Sequence, residues 1–335
     1  MIKYADVIVD LQAGDTGKGK VCYALTQKPN EYTHVIRYNG GGNAGHTIYK
    51  DGQKIVTHFI PTGIVSGIKS IIGPGCVVNV NKFLNEVQEL KSLGVDIDGK
   101  LFIDRRAHII TEDHIEEDSK DTEIGTTKTG NGPCYRDKYY RQGTRVSDLD
   151  YDLEKYLIDI YEELHGPNEC KILFEGAQGF ELDVDWGDYP YVTSSHCTVG
   201  SAILNGVPPQ KIRKVFGIAK VYRTYVGQKS FEGNEPIFEK IREIGHEYGA
   251  TTGRKRQVDW LDFDMLMKSI NINGVTDVII NKLDVLTAVN DFRYYKDGVL
   301  KHLNEMSFQF YIKEILKNKC ETVNSVTFSS SAERI

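Results

Sequence analysis

A glycine-rich turn between a strand and a helix limits what this chain can fold into. The apolar run Asp6-Val-Ile-Val-Asp10 predicts a buried strand, Gly14-Asp-Thr-Gly-Lys-Gly-Lys20 follows it, and a helical pattern covers residues 18–27. Glycines in such a turn let backbone N–H groups approach phosphates, and the helix N-terminus adds a favourable dipole. The segment is neither a Walker A motif nor GxGxxG, and alone it could be a surface turn with two solvated lysines.

A second glycine-rich segment follows the next predicted strand. The strand is His34-Val-Ile-Arg-Tyr38, the segment is Asn39-Gly-Gly-Gly-Asn-Ala-Gly-His-Thr47, and a hairpin over residues 47–56 is predicted to turn at Asp51-Gly52. Three consecutive glycines indicate close approach of the backbone to another group. A lone histidine is more often structural, but beside this loop His46 could equally be an acid or a phosphate ligand.

The rest of the chain alternates between helical and strand patterns. Helical periodicity over residues 81–93 ends at Gly94, and apolar runs predict strands at 171–174, 215–218 and 277–280. Such alternation is typical of the α/β class, so we expect a central, mostly parallel sheet flanked by helices, with the hairpin and small subdomain insertions added to it.

Composition argues against several classes of protein. The net charge of −6 provides no general basic field for nucleic acid, so anionic ligands would need local basic sites. Six cysteines without a CxxC pair favour reduced thiols in a cytoplasm, and we see neither a signal-peptide core nor a membrane-spanning run. We therefore expect a cytoplasmic protein with no nucleic-acid or membrane partner. The carboxylate-rich residues 111–123 are interpreted as solvated surface rather than a metal site.

Together the two glycine-rich segments resemble the adenylosuccinate synthetase family, and later segments agree. The later segments are Ile124-Gly-Thr-Thr127 with Gly130-Asn-Gly-Pro133, Glu175-Gly-Ala-Gln-Gly179 with Tyr189-Pro-Tyr-Val-Thr-Ser-Ser195, Gly249-Ala-Thr-Thr-Gly-Arg-Lys-Arg256, Asn281-Lys-Leu-Asp284, and Ser329-Ser-Ser-Ala-Glu-Arg334. Singly, each could be a basic turn, an ordinary Asn/Asp turn or a satisfied amide. Their common order favours the family, which implies one domain over residues 1–335 with a P-loop-like nucleotide-binding architecture.

The resemblance implies a ligase that forms a carbon–nitrogen bond between L-aspartate and C6 of a purine nucleoside monophosphate. A purine 6-oxo group is a poor leaving group, so O6 must first be phosphorylated and N1 must lose its proton. The resemblance assigns the base at N1 to Asp15 and the acid at the phosphoryl group to His46. Lys18 would neutralise charge there, together with Mg²⁺ held by Asp15 and the Gly45 carbonyl.

The resemblance also implies which residues bind each substrate, and a homodimer in which Arg141 reaches across the interface. For the monophosphate they are Asn43, Thr127, Arg141, Gln178 and Thr193, and for aspartate Thr252, Arg254 and Arg256. For the triphosphate they are Gly14, Thr16, Gly17, Lys18, Gly19, Lys20, Gly45, Thr47, Lys282, Asp284, Ser329 and Ser331. Asp284 would accept hydrogen bonds from guanine, which favours GTP as donor. The retained aspartate at position 15 makes IMP the expected acceptor.

The chain departs from the usual family motif, Gln-Trp-Gly-Asp-Glu-Gly-Lys-Gly-Lys, at two positions in the first loop. Ala13 stands in place of tryptophan and Thr16 in place of glutamate. Thr129 and Tyr225 stand where arginine is common. The chain is also much shorter than typical bacterial members, as archaeal and viral members are.

Two other functions stay open on the sequence. A viral branch makes 2-amino-adenylosuccinate from GMP or dGMP, and this chain shares Asp10-Leu-Gln12 and Thr16 with it, although that branch carries serine where Asp15 stands. ATP is an alternative donor, because Ser331-Ala332 replaces the usual Gly-Pro. A non-catalytic GTP-binding switch would share the first loop and Asn-Lys-x-Asp, but it would not need His46 or an arginine clamp.

Overall fold

The computed structural model describes residues 1–149, 153–249 and 253–335. Within these ranges the strands are β1 (Ile2–Asp10), β2 (His34–Arg37), β3 (His46–Lys50), β4 (Gln53–Thr57), β5 (Lys69–Ile72), β6 (Val77–Val78), β7 (Leu101–Asp104), β8 (His108–Ile109), β9 (Leu157–Ile158), β10 (Cys170–Glu175), β11 (Ile212–Lys220), β12 (Tyr222–Tyr225), β13 (Gln257–Asp262), β14 (Asp277–Asn281), β15 (Phe292–Lys296), β16 (Val299–Leu303) and β17 (Ser325–Phe328).

The α-helices lie between these strands. They are α1 (Lys18–Thr26), α2 (Val80–Ser92), α3 (Glu112–Ser119), α4 (Asn131–Tyr140), α5 (Ile160–His165), α6 (Val199–Ile203), α7 (Ile237–Ile244), α8 (Phe263–Asn273), α9 (Leu283–Val289) and α10 (Glu305–Lys319).

The largest sheet has nine strands in the order β17-β14-β11-β1-β10-β2-β5-β7-β9, and each pairing in it is parallel. Helices flank this sheet, which confirms the predicted α/β fold. The predicted insertions are a four-stranded sheet, β12-β13-β15-β16, a parallel pair, β6-β8, and the antiparallel hairpin β3-β4.

Strand β1 lies in the middle of the sheet, with β10 on one side and β11 on the other. A strand that is covered on both faces reads as a continuous apolar run, as residues 7–9 of β1 do. Val7 and Val9 join the main core on one face, whereas Ile8 packs with Val21 and Leu25 of α1 on the other. This packing fixes helix α1, and therefore the glycine-rich loop before it, against the sheet.

The hairpin and helix α2 form where the sequence predicted them. Asp51 and Gly52 have φ angles of 51° and 78°, the left-handed conformation that a two-residue hairpin turn needs. The side chain of Asn79 caps α2 by accepting a hydrogen bond from the N–H of Lys82 at 2.9 Å. Gly94 follows the helix with a φ of 77°. The hairpin thus starts at His46 and holds that residue at the sheet.

The acidic stretch 111–123 contains helix α3, and most of its side chains are exposed as predicted. The interpretation as solvated surface is wrong for Asp118, which is buried and accepts a hydrogen bond from the N–H of Gly130 at 2.8 Å. Asp121 accepts from the N–H of Gly125, also at 2.8 Å. These carboxylates hold neighbouring loops because they replace water as acceptors for backbone donors.

Each helix within the described ranges is too short or too polar to cross a membrane.

All six cysteines are buried free thiols.

A buried carboxylate on α2 holds the segment that follows the hairpin. Glu86 accepts hydrogen bonds from the backbone N–H groups of His58, Phe59 and Ile60 at 2.8, 2.9 and 3.2 Å. Three backbone donors without an acceptor in the protein interior would each carry a desolvation cost.

Replacing Glu86 with leucine is expected to lower the free energy of unfolding by about 2–5 kcal/mol, because these buried donors lose their acceptor. Urea unfolding followed by tryptophan fluorescence measures the change. The matched control is Glu89→Leu on an exposed position of the same helix, which should change stability by no more than about 0.5 kcal/mol. Equal losses in the two variants would contradict this role for Glu86.

Candidate active site at the carboxyl edge of the sheet

Parallel strands of the large sheet all end at one edge, where ligands of open α/β sheets usually bind. The segments singled out in the sequence follow the ends of these strands. They are the first glycine-rich loop after β1, the second after β2, Glu175-Gly-Ala-Gln-Gly179 from the end of β10, Asn281-Lys-Leu-Asp284 from the end of β14, and Ser329-Ser-Ser331 after β17.

The first loop has the backbone geometry of an anion site. Gly14, Asp15 and Gly17 all have positive φ angles, of 88°, 57° and 99°. Gly17 is the N-cap of α1 and makes no side-chain cap, so within the described ranges the first N–H groups of the helix stay available to an anion. A side chain at Gly17 would also come within 2.9 Å of the Asn281 amide nitrogen, which donates to the Thr16 carbonyl at 2.7 Å. The loop therefore needs glycine there.

A carboxylate that the sequence analysis did not assign holds this loop. Asp10 Oδ2 accepts from the hydroxyl of Thr16 at 2.5 Å and lies 2.7 Å from the ammonium of Lys18. Asp10 and Lys18 are both buried. In the sequence Asp6 and Asp10 both flank the apolar residues 7–9, so nothing there distinguishes Asp10; its buried partners do, because a buried charge needs a partner.

His46 is buried at the start of β3 and bound to a buried carboxylate. Its Nδ1 donates to the carboxylate of Glu175 at the end of β10, and its Nε2 lies 3.4 Å from Nη1 of Arg37. A side chain on Gly19 would come within 2.8 Å of His46 Cβ, so glycine lets the hairpin pack against α1. Glu175 lies in a motif segment but received no role from the sequence, and nothing singled out Arg37.

Burial and the neighbouring charges determine the protonation state of His46. Burial lowers the pKa of His46 to about 4, and the positive charge of Arg37 acts in the same direction. Burial by itself would raise the pKa of Glu175, but His46 and Arg37 hold that pKa at about 2. At neutral pH the imidazole is therefore uncharged, with Nδ1–H donated to a carboxylate and the Nε2 lone pair facing Arg37.

Arg256 joins the first loop to the segment that resembles an aspartate loop. Its Nε lies 2.8 Å from Oδ2 of Asp15, and its Nη1 lies 2.5 Å from Oε2 of Glu247. Glu247 is fully buried and also accepts from Lys220 at 3.0 Å and from the Tyr222 hydroxyl at 2.7 Å. Burial lowers the pKa of Lys220 to about 8. No local motif marks Glu247, so the sequence by itself does not identify it as part of the site.

The residues proposed for the monophosphate come together in part. The Gln178 amide nitrogen donates to Asn43 Oδ1 at 3.0 Å, and the hydroxyls of Thr127 and Thr129 lie 2.9 Å apart. Gln178 has a φ of 54°, and its buried Oε1 has no hydrogen-bond partner among the described residues. A buried acceptor without a partner is the kind of group that a ligand satisfies.

Other members of that set lie at the rim. Arg141 follows α4 with a φ of 69°, and its side chain is exposed. Thr193 is partly exposed, and its N–H donates to the Leu182 carbonyl at 2.8 Å. Arg254 Nη1 lies 3.3 Å from the Gly125 carbonyl. The segment that resembles an aspartate loop therefore contacts the loop that carries Thr127. Thr252 lies outside the described residues.

The C-terminal segment meets the first loop through Lys20. The Lys20 ammonium donates to the Ser329 hydroxyl at 2.9 Å and to the Ser331 carbonyl at 2.9 Å. Burial lowers the pKa of Lys20 to about 8, and the charge of Lys282 adds to this effect. Asp284 is exposed in the first turn of α9. Three segments proposed to bind the triphosphate therefore share one region.

A possible metal-binding group lies outside the predicted set. Within the described ranges, ligand atoms of Asp183, Asp185 and His196 come within 4.8 Å of one another. Both oxygens of Asp183 already accept backbone hydrogen bonds, including one from Cys197 N–H at 2.5 Å. The carboxylate therefore builds a turn. Gly45 and Thr47, which flank His46, are partly exposed at the start of the hairpin.

Known proteins are similar to this chain in sequence. The family model for adenylosuccinate synthetase matches residues 7–164 and 149–298. The adenylosuccinate synthetase of Chlorobaculum parvum is 40% identical over 353 aligned positions, which cover 88% of this chain and 80% of that protein. The corresponding protein of Fusobacterium nucleatum is 37% identical, with 88% of this chain and 82% of that protein covered.

Two solved structures are similar. The fully ligated adenylosuccinate synthetase from Plasmodium falciparum is 27% identical with a TM-score of 0.88, and 98% of each chain is covered. The succinoaminodeoxyadenylate synthetase of cyanophage S-2L, solved with dGMP and dATP, is 23% identical with a TM-score of 0.76, covering 99% of this chain and 94% of that one; it shows the fold alone. The predicted resemblance is confirmed: the chain belongs to the adenylosuccinate synthetase family and is a ligase that forms carbon–nitrogen bonds.

Proposed function

We propose that this chain joins L-aspartate to C6 of IMP through a 6-phosphoryl intermediate, with GTP as the phosphoryl donor. The ion pair between Asp15 and Arg256 carries the proposal. It joins the first glycine-rich loop, residues 14–20, to the segment that resembles an aspartate loop. We call residues 14–20 the phosphate loop. A ligase needs the activated purine and the attacking amine at one point. A GTP-binding switch has no use for this contact, so the geometry favours the ligase.

The chemistry follows from the leaving group. Asp15 takes the proton from N1 of the purine, O6 attacks the γ-phosphorus, and the nucleoside diphosphate leaves. The amine of aspartate then adds at C6, and phosphate departs. Lys18 stabilises charge on the transferring group, and His46 donates a hydrogen bond or a proton to it. An arriving phosphoryl anion favours the protonated imidazole, which opposes the depressed pKa of about 4 in the ligand-free protein.

The first loop suits Mg²⁺. Asp15 offers a carboxylate whose side chain is 33% exposed, and Gly45 offers a backbone carbonyl beside His46. Mg²⁺ prefers oxygen ligands and usually combines one or two carboxylates with the phosphates of the substrate. Bound by Asp15 and Gly45, it would neutralise charge on the phosphoryl group.

Arg254 and Arg256, with Thr252, are proposed to hold the carboxylates of aspartate. Arg256 keeps one nitrogen on the buried Glu247, so its side chain is already oriented. Its Nε faces Asp15, and a substrate carboxylate would take the place of Asp15 there. Aspartate binding would then leave Asp15 free to act on the purine.

The donor site is proposed at Lys282, Asp284, Ser329 and Ser331, next to the phosphate loop. Asp284 is exposed at the start of α9, where its carboxylate can accept from N1–H and the 2-amino group of guanine. Adenine offers no such pair of donors on that edge. This supports GTP over ATP.

GMP and dGMP are the alternative acceptors, because the hydrogen bond between Thr16 and Asp10 is built from two residues that the viral branch shares. Asp15 argues against them. A base at N1 must come within about 2.6–3.2 Å of that nitrogen, which leaves little room for an adjacent 2-amino group. We therefore assign IMP as the acceptor, held by Asn43, Thr127, Gln178 and Thr193.

The active form is proposed to be a homodimer of single-domain subunits spanning residues 1–335. Arg141 is exposed at the end of α4, and Tyr139 and Tyr140 beside it are 65% and 64% exposed. Exposed aromatic side chains next to an arginine are typical of protein interfaces. The buried free thiols support a reducing compartment such as the cytoplasm.

Supplied with aspartate and equal concentrations of IMP, GMP and dGMP, the protein is expected to make mainly the succinyl product of IMP. Turnover should be faster with GTP than with ATP, because Asp284 pairs with guanine. Mass spectrometry of the products measures both preferences. If the main product is the 2-amino succinyl product of GMP or dGMP, the assignment moves to the viral reaction. If none of the three purines gives a succinyl product, the proposed ligase activity is overturned.

Replacing Arg256 with leucine is expected to raise the KM for aspartate at least tenfold, since a charge-assisted hydrogen bond contributes about 1.5–3 kcal/mol. The KM for the monophosphate should change much less. Steady-state kinetics with each substrate varied in turn measures the two constants. Lys255→Leu, a change at an exposed neighbouring cation, is the control and should leave both constants near wild type. Equal effects on both substrates would place Arg256 elsewhere in the mechanism.

Mixing inactive Arg141→Leu protein with inactive Asp15→Asn protein is expected to restore about a quarter of wild-type activity after random subunit exchange, because half of the dimers then contain one intact site. Activity is measured after exchange is verified by native mass spectrometry. The control mixture, Asp15→Asn with His46→Asn, should stay inactive because both residues serve the site of their own subunit. No recovery in the first mixture would argue against a shared site.

A further inference from the structure

Asp10 is a buried carboxylate for which the family resemblance provides no role. Its side chain is 1% exposed at the end of β1. Oδ1 accepts from the backbone N–H groups of Gln12 at 2.9 Å and Gly14 at 3.4 Å. Oδ2 accepts from the hydroxyl of Thr16 at 2.5 Å and from the ammonium of Lys18 at 2.7 Å. One side chain thus holds three groups of the phosphate loop and the N–H of Gln12 just before it.

Lys18 depends on this carboxylate. Its side chain is 4% exposed, and a buried ammonium without a counter-charge is strongly unfavourable. Within the described ranges, no other carboxylate lies within ion-pair distance of Lys18. The other carboxylates of the site have partners of their own, because Asp15 contacts Arg256 and Glu175 contacts His46. The direction in which Lys18 points is therefore set by Asp10.

We propose that Asp10 is the positioning residue of the phosphate loop: it orients Lys18 and Thr16 for phosphoryl transfer without touching a substrate. The inference rests on the proposed function, which assigns Lys18 to the phosphates. A buried partner on a strand is rigid, so it limits the ammonium to one small region above the loop. Such preorganisation lowers the reorganisation needed in the transition state.

The contacts also show how the carboxylate could be supplied from another position. Thr16 Oγ1 lies 2.5 Å from the same oxygen that binds Lys18, so a longer acidic side chain at position 16 would bring its carboxylate to that place. The usual family motif has glutamate there. In this chain the carboxylate is instead supplied from strand β1, and threonine at position 16 serves as its hydrogen-bond partner.

The test compares three variants: Asp10→Asn, Asp10→Asn with Thr16→Glu, and Asp10→Asn with Thr16→Gln. The single variant is expected to lose about 10- to 100-fold in kcat, the range of one charge-assisted hydrogen bond, with less than a twofold change in the KM for aspartate. Thr16→Glu should restore kcat to within about fivefold of wild type because it returns a carboxylate to Lys18. Thr16→Gln matches its size without the charge and should restore nothing.

Asp6→Asn is the matched control, because Asp6 is an equally buried carboxylate of β1 that binds Arg213 and Tyr32 instead of the loop. It should lower the melting temperature without the selective loss of kcat. Wild-type kcat in Asp10→Asn, or equal rescue by Thr16→Gln and Thr16→Glu, would overturn the proposal. If Asp10→Asn does not fold, the two double variants still decide between charge and size.

A second readout separates this inference from the proposed function. Calorimetric binding of a non-hydrolysable GTP analogue should weaken about tenfold in Asp10→Asn and recover with Thr16→Glu, even if the wild type makes no succinyl product. Absence of product would then overturn the ligase assignment alone. Unchanged binding of the analogue in Asp10→Asn, together with unchanged kcat, would overturn the role of Asp10.

Discussion

Buried carboxylates that face buried cations or hydrogen-bond donors control the geometry at the carboxyl edge of the sheet. An ion pair that loses one partner in a protein interior leaves an uncompensated charge, at a cost of about 3–5 kcal/mol. Each carboxylate therefore fixes where its cation or donor can lie. Asp10 pairs with Lys18 and Glu247 with Lys220 and Arg256, whereas Glu175 accepts a hydrogen bond from the neutral imidazole of His46. Two of these carboxylates end parallel strands, so the sheet itself locates the charges.

The parallel sheet makes this arrangement possible. Strands β1 and β10 are neighbours in register, so Asp10 and Glu175 reach the same edge although 164 residues of chain separate them. Helix α1 lies over this edge and brings the Lys18 ammonium to Asp10. The hairpin brings His46 to Glu175, and glycine at position 19 allows the hairpin backbone to approach α1. The loops differ in sequence and length, but a common scaffold holds them within contact distance.

The charge pairs differ in how they can respond to ligands. Lys18, His46 and Glu247 are buried, and their partners leave them little freedom. Arg256 instead divides its guanidinium between the buried Glu247 and the part-exposed Asp15. A carboxylate ligand at Arg256 would compete with Asp15 and not with Glu247, because only Asp15 is open to solvent. With the proposed site roles, Arg256 would thereby link aspartate binding to the availability of Asp15 as the base.

The sequence by itself determined the local elements and the family. Apolar runs located β1, β10 and β14, turn residues located the hairpin at Asp51-Gly52, and the order of seven polar segments identified the ligase. These signals are local, because each depends on residues a few positions apart. The sequence also indicated most residues of the site as members of motifs. It could not show what they contact.

Only the tertiary structure decided which charges meet. His46 and Glu175 are 129 positions apart, and no local pattern encodes their contact; it follows from the pairing of β10 with β2 and the packing of the hairpin on α1. The same reason explains why Asp10, Arg37 and Glu247 were not identified as parts of the site. A buried charge looks like any other charged residue in the sequence, because its significance depends on the partner that the fold brings to it.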